Sequence, residues 1–213
     1  NLPDNMSEVA FFNQIETTVF AKPCIVSRTG FTGERGYEIF ATADVVGDLW
    51  DAILEAGKDK GVMPLSFVGL NILRIESALL FHPFDVSENE SVWEAGLGWS
   101  VGKEKGDYIG KAASEARKGK ETKLFSGIVA DADVAVGEPI AGGEKIYQNG
   151  EEVGYVTAAL YSTRLNKSIA LCYLKPGLNP GDKVEVKGAV ECSATVSALP
   201  FYDPEKLRPR GLA

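Results

Sequence analysis

Three residues combine binding chemistry with unusual surroundings. Glu38 is an acid among apolar neighbours in GYEIF, Arg74 interrupts an apolar helical segment, and Trp99 lies in the glycine-rich stretch GLGWSVG. A carboxylate can accept two hydrogen bonds at once from a planar group with adjacent N–H donors, such as the guanidine-like edge of a guanine or a pterin. A buried arginine can bind an anion, and glycines beside an indole ring leave room for a flat ligand. These three residues are therefore candidates for a binding site.

Each candidate also has a structural interpretation that the local pattern leaves open. Glu38 can point to solvent from an edge strand, since successive strand residues face opposite sides. Arg74 can extend its charged end to the surface along the helix, or pair with a protein acid such as Glu38 or Glu76. Trp99 can belong to the core. A functional Glu38 would face a pocket and need a donor there, because an unpaired buried carboxylate is costly.

Metal and nucleotide motifs are missing from the sequence. His82 is the only histidine and precedes a proline, so we interpret it as a turn residue. Cys24, Cys172 and Cys192 stand far apart without a C-x-x-C pair, and we predict no zinc or iron site. Each cysteine lies in an apolar stretch, which indicates buried thiols in a reducing cytoplasm. The glycine spacing in GFTGERG fits neither the Walker A motif nor the dinucleotide-binding motif. The segment also leads into a strand rather than a helix.

The composition is that of a soluble globular protein, with 45% apolar and 24% charged residues among 213. The net charge of −8 argues against general nucleic-acid binding, which requires a positive field. No apolar run approaches the ~20 residues of a membrane span, and the polar start NLPDNMSEVA is not a signal peptide. We expect a cytoplasmic protein. The absence of an initial Met suggests a cut or processed start.

A hairpin and two helices are predicted to carry the candidates. VFAKPCIVSRT and GYEIFAT are typical of strands, joined by a turn whose glycines can take positive φ (Gly30, Gly33 and Gly36). ADVVGDLWDAILEAGKDKG predicts a helix with Asp44 at its N-cap and Gly61 at its end. FVGLNILRIESALL predicts a second helix capped by Ser66, apolar most of the way round and so largely buried.

The second half of the chain predicts short β-strands. KLFSGIVADA, EKIYQ, EEVGYVTAAL, SIALCYL, DKVEVK and VECSATVSAL alternate with turns, and Asn149-Gly150 is a strong hairpin signal. We predict an α+β fold: a mixed or antiparallel sheet portion with two packed helices over residues 1–116, followed by a small antiparallel β-barrel over residues 117–213. The basic stretch at residues 115–123 is the expected linker or junction.

Six segments in order resemble one known family. SRTGFTGERGYEIF resembles the signature of the glycine-cleavage T-protein, the folate-dependent aminomethyltransferase family. GLNILRIESALLF, LGWSV, DYIGKAA, GEEVGYVTAALYSTRLNKSIALCYL and LPFYDPEKLRPRG are similar to the segments that follow it in that family. The resemblance covers nearly the whole chain but only the C-terminal portion of a full family member.

The resemblance implies a site for tetrahydrofolate. It gives Glu38 the role of holding the pterin ring through its two-donor edge, and Arg74 a contact with the folate. It implies that Phe31, Tyr37 and Trp99 line the pocket of the ring. The sequence departs from the family pattern at Phe31, where the family has tyrosine, and at Arg35, where it has aspartate. The family's catalytic aspartate lies in a further N-terminal region that nothing here matches, so the catalytic residue is unknown.

Several functions stay open under this resemblance. The first is the folate-binding part of an aminomethyltransferase of glycine cleavage, which moves an aminomethyl group from a lipoyl carrier protein to tetrahydrofolate. That reaction gives 5,10-methylenetetrahydrofolate and ammonia. A second is a tetrahydrofolate-dependent demethylase of the same fold. A third is a non-catalytic folate-binding module or fragment, although the Lys-Gly-Cys-Tyr motif of the iron–sulfur assembly branch is absent.

Overall fold

The chain forms two compact units. A computed structural model describes residues 6, 8–102, 104–131, 140 and 142–212. The first unit runs as far as Arg74 and takes in the tail from Glu205, and the second runs from Ile75 to Pro204. The chain therefore leaves the first unit once and returns to it near its C-terminus. The domain division at residues 116 and 117 remains a prediction.

A three-stranded antiparallel sheet forms the base of the first unit, in the order β1-β2-β3. Its strands are β1 (Gln14–Val19), β2 (Lys22–Ser27) and β3 (Glu38–Ala41). Helix α1 (Ala43–Gly57) covers one face, and this layer buries Val19, Cys24, Val26, Val45 and Leu49. Side chains alternate along a strand, so the other face carries the exposed Glu38 and Phe40.

The β2–β3 hairpin confirms the prediction, whereas β1 was not predicted. Two residues, Phe20 and Ala21, join β1 to β2 with φ of 49° and 59°. Two-residue hairpin turns often need positive φ at both positions, which Asn-Gly and similar pairs supply most easily. Because Phe-Ala carries no such signal, the sequence gives no sign that the chain reverses here.

Helix α1 ends close to where the sequence predicts and begins with a different cap. A 3₁₀ turn over Lys58–Lys60 follows it, and Gly61 closes the turn with φ of 74°. The N-cap is Thr42 and not Asp44, which lies in the first turn. The hydrogen bond with the Thr42 side chain is the main cause that lowers the pKa of Asp44. A carboxylate there also suits the positive end of the helix dipole.

Helix α2 (Phe67–Glu76) is capped by Ser66 as predicted, since the Ser66 hydroxyl accepts a hydrogen bond from the Gly69 N–H at 3.2 Å. The prediction that this helix is largely buried is wrong for its first turn. Phe67 is 63% exposed and Val68 is 70% exposed. Burial begins near the C-terminal end of the helix, at Arg74. An apolar pattern shows which residues could be covered, but not whether anything covers them.

A closed six-stranded antiparallel barrel forms the main part of the second unit, in the order β4-β7-β6-β5-β8-β9, with β4 also paired to β9. Its strands are β4 (Leu124–Ala130), β5 (Lys145–Gln148), β6 (Glu151–Ser162), β7 (Lys167–Leu174), β8 (Lys183–Lys187) and β9 (Cys192–Ser197). Asn149 and Gly150 form the β5–β6 turn with φ of 52° and 85°. The predicted fold class is confirmed.

Two further helices are short, α3 (Lys111–Arg117) and α4 (Leu207–Arg210). The predicted junction at residues 115–123 packs within the second unit, where Arg117 donates to the Glu94 carboxylate at 2.6 Å. Cys24 and Cys172 are buried as predicted, while Cys192 is only partly buried. None of the helices in the described part of the chain is long and apolar enough to cross a bilayer.

Candidate functional site

Glu38 is held by a side chain of the preceding loop. It is the first residue of β3 and lies directly opposite Ser27, the last residue of β2. The Thr29 hydroxyl donates a hydrogen bond to Glu38 Oε2. Thr29 Oγ1 in turn lies 2.8 Å from the Ser27 hydroxyl, which can donate to it. This hydrogen bond orients the carboxylate, which keeps further acceptor positions because an ionised carboxylate has about four.

The surroundings of Glu38 are open within this chain. Its side chain is exposed, and β3 is the last strand of the described sheet order. This is the solvent-facing edge position that the sequence left open as an alternative, and the expected pocket around Glu38 is not confirmed. A carboxylate that is both oriented and accessible can still meet a ligand without displacing protein.

The β2–β3 loop, residues 28–37, shapes the approach to Glu38. Of its three glycines only Gly33 takes positive φ, at 70°. The Thr32 hydroxyl accepts a hydrogen bond from the Glu34 N–H at 3.1 Å, which closes a tight turn in the same place. Phe31 lies beside this turn and is partly buried.

Tyr37 faces away from Glu38. Its ring packs against the buried cluster beneath the sheet, and its hydroxyl donates to the Met6 carbonyl at 3.0 Å. Alternation along the strand places Tyr37 and Glu38 on opposite faces, as the sequence indicates. The Tyr37 contacts seen here are structural, and its part in a ligand pocket remains a prediction.

Sequence reasoning missed Arg28, whose side chain is the most constrained cation of the loop. Arg28 is 4% exposed. It donates to the Val9 carbonyl and to the Pro209 carbonyl, each at 3.0 Å, and its guanidinium carbon lies 5.5 Å from the centre of the Tyr37 ring. These partners are remote in sequence, so local pattern gives no signal for them.

Arg74 is buried, at 3% exposure, which rules out the interpretation that its charge reaches the surface. Its Nε donates to Asn71 Oδ1 at 2.8 Å, one turn earlier in α2. The contact of Arg74 with a ligand remains a prediction.

Trp99 is 74% exposed, so the interpretation that it belongs to the core is wrong. It lies in a 3₁₀ turn over Gly98–Ser100. Packing explains the glycine at position 98, because a Cβ at Gly98 would lie 2.7 Å from the ring of Trp93. The glycine therefore makes room for Trp93, while the Trp99 ring is left open to solvent and available to a flat partner.

Four of the five predicted site residues belong to the first unit and one belongs to the second. Phe31, Tyr37 and Glu38 share one loop and strand, and Arg74 belongs to the same unit. Trp99 belongs to the second unit. Among the described residues, no group of three His, Cys, Asp or Glu side chains could hold a metal ion.

Two family models match the chain in sequence order. The GCVT N-terminal domain matches residues 3–105, and the glycine cleavage T-protein C-terminal barrel domain matches residues 125–203. The chain belongs to the glycine-cleavage T-protein family. The second match includes all six strands of the closed barrel except the first residue of β4, and the first includes the β2–β3 loop, Glu38, Arg74 and Trp99.

Two of the proteins that are similar in sequence to this chain carry different names. The chain is 37% identical over 209 residues to a heme-dependent oxidative N-demethylase gamma subunit of Ectopseudomonas mendocina, covering 93% of the chain and 54% of that protein. It is 36% identical over 207 residues to an aminomethyltransferase of Geobacillus sp., covering 95% of the chain and 56% of that protein.

A solved structure shows the same fold. The glycine cleavage system aminomethyltransferase T from Bartonella henselae superposes with a TM-score of 0.82 at 23% sequence identity, covering 93% of this chain and 54% of that one. The chain therefore spans about half the length of each of these three similar proteins.

Proposed function

We propose that this chain is the tetrahydrofolate-binding part of an aminomethyltransferase-like enzyme of one-carbon metabolism. The overall reaction would transfer an aminomethyl group from a lipoyl carrier protein to tetrahydrofolate, giving 5,10-methylenetetrahydrofolate and ammonia. When bound, tetrahydrofolate supplies the nitrogens that accept the one-carbon unit. The described residues bind and orient, and no catalytic residue is assigned to them.

The observation that carries the proposal is the fixed carboxylate of Glu38. The Thr29 hydroxyl holds one oxygen of this carboxylate, which leaves the other acceptor positions accessible. The 2-amino group and ring N–H of a pterin are adjacent donors in one plane, so both can bond to one carboxylate. A ligand held in this way has its ring oriented by a carboxylate that a hydrogen bond from the same hairpin directs.

The other site residues extend this binding mode. Phe31 lies in the loop that precedes Glu38 and offers apolar surface to the ring. Arg74 would supply positive charge for the folate carboxylates, which are anions. Trp99 would supply an open aromatic face, and Tyr37 would support the loop from below.

Cys24, Cys172 and Cys192 are free thiols, which supports a reducing cytoplasmic location.

A second candidate is a demethylase-type function with the same acceptor. It is favoured by the likeness to the N-demethylase gamma subunit of Ectopseudomonas mendocina. Oxidation of an N-methyl group releases carbon at the oxidation level of formaldehyde, which is also the level of an aminomethyl group. A folate site of the proposed kind serves either source, so the two candidates differ in the donor and its carrier rather than in Glu38.

The experiment that tests the proposal is an anaerobic titration of tetrahydrofolate against the wild-type chain and Glu38→Gln. Loss of a charge-assisted pair should weaken binding by about 1.5–3 kcal/mol, or roughly 10- to 150-fold. Glu16→Gln is a matched control, because Glu16 is also exposed and lies in β1 of the same sheet. Equal affinities for wild type and Glu38→Gln would remove Glu38 from the site, and no binding by wild type would reject the proposed function.

A further inference from the structure

Two contacts join the C-terminal tail to the β2–β3 loop. Arg208 Nε, in α4, donates to Glu34 Oε2 at 2.6 Å, between residues 174 positions apart in the chain. The Pro209 carbonyl accepts from the Arg28 guanidinium at 3.0 Å, 181 positions apart. Tail and loop belong to the same compact unit, although the whole second unit lies between them in sequence.

We infer that the tail acts as a clasp that positions the β2–β3 loop for ligand binding, with Glu34 and Arg208 as positioning residues. This inference rests on the proposed function. It assigns Glu34 of the β2–β3 loop to the tail rather than to the ligand. Glu38 then remains the acid of this segment that is available to a ligand.

The contacts are those expected of a stable clasp. The Glu34 side chain is 25% exposed and that of Arg208 is 42% exposed, so solvent screens this ion pair only in part. Gly211 lies against the same loop: a Cβ there would be 3.1 Å from an Arg28 nitrogen and 3.6 Å from an Arg35 nitrogen. The tail therefore meets the loop at its first residue and at its middle.

The clasp contacts act on two kinds of segment that are costly to order, a chain terminus and a long loop. Chain termini are poorly ordered unless other groups tie them down. A loop of this length loses much conformational entropy when it is fixed, and contacts from outside the loop help to offset that cost. Ordering the loop from outside fixes the direction of Thr29, which holds Glu38, and so lowers the entropic cost of binding a ligand.

The test compares Arg208→Gln with Arg210→Gln, which removes the same charge from the same helix. Arg210 is exposed and has no ion pair among the described residues. Hydrogen exchange of the ligand-free protein measures directly how well the amides of the loop are protected. Arg208→Gln should speed exchange of the amides in residues 28–37 by about tenfold while barrel amides stay unchanged, and Arg210→Gln should leave both unchanged.

The affinity for tetrahydrofolate shows whether the clasp positions the loop for the ligand or only orders the loop. Glu34→Gln and Arg208→Gln should each weaken binding by about three- to tenfold. The loss in the double variant should be smaller than the sum of the two single losses, because both substitutions remove the same ion pair. Unchanged loop exchange in Arg208→Gln would overturn the clasp. Faster exchange with unchanged affinity, or additive losses of affinity, would overturn the positioning role. Absence of binding by wild type would reject the proposed function, while faster loop exchange would still support the clasp.

Discussion

The Thr29 hydroxyl donates a hydrogen bond to the Glu38 carboxylate across the β2–β3 hairpin. Removing it by Thr29→Val should let the carboxylate turn freely. We expect tetrahydrofolate affinity to fall by about 0.5–1.5 kcal/mol, the usual net contribution of one hydrogen bond. Thr29→Ser keeps a hydroxyl and should retain most of the affinity. Isothermal titration calorimetry of the three proteins measures this difference.

Thr18→Val is the matched control for this prediction. Thr18 is exposed in β1 of the same sheet, and the same change of side chain there should not alter affinity. A loss of affinity in Thr29→Val that Thr29→Ser shares would show that the hydroxyl is not the relevant group.

The barrel core sets the stability of the second unit. Ile128 is fully buried there, at 0% exposure, among the apolar side chains of the barrel. Ile128→Ala should lower the free energy of unfolding of this unit by about 2–5 kcal/mol, from lost burial and the cavity left behind. Ile109→Ala makes the same change at a fully exposed residue and should stay within about 0.5 kcal/mol of wild type. Urea unfolding of both variants checks the difference, and similar losses would contradict the assigned core.

Lowering the pH should reduce the stability of the second unit, because Glu90 becomes protonated. Burial raises the pKa of Glu90, but hydrogen bonds from Lys123 and Ser87 outweigh it and lower the pKa from 4.5 to about 2. The folded state therefore binds fewer protons than the unfolded state between these values. The stabilisation by Glu90 is complete above about pH 4.5 and is lost as pH falls through about 2.

Glu90→Gln should be less stable than wild type near neutral pH and should lose less stability on acidification, because glutamine does not titrate. Urea midpoints from about pH 6 to about pH 3 measure both effects. The exposed Glu88→Gln is the control and should follow wild type. Parallel pH curves for wild type and Glu90→Gln would contradict the role of Glu90.

The sequence was most informative where local signals and fold agree. The barrel strands are short, regularly spaced and joined by clear turns such as Asn149-Gly150, so their positions were predictable. The cap at Ser66 and the helix end at Gly61 follow from local chemistry as well. By contrast, the Phe20-Ala21 reversal depends on a backbone conformation that these residues do not signal.

Long-range contacts explain most of what the sequence could not show. Glu38 was identified from its own neighbours, but its orientation depends on Thr29 across a hairpin. The Glu34–Arg208 pair joins residues 174 positions apart, which no local periodicity reveals. Exposure is also a global property, and the open Trp99 and Phe67 side chains show that apolar character alone does not determine burial.

The most direct test of the proposed recognition is a thermodynamic cycle between Glu38 and the ligand. Wild type and Glu38→Gln are each titrated with tetrahydrofolate and with an analogue that lacks the 2-amino group of the ring. If the carboxylate binds that amino group, the analogue should bind wild type more weakly by about 1–3 kcal/mol and Glu38→Gln with a much smaller difference. Equal losses for both proteins would contradict the account, because the amino group would then be recognised elsewhere.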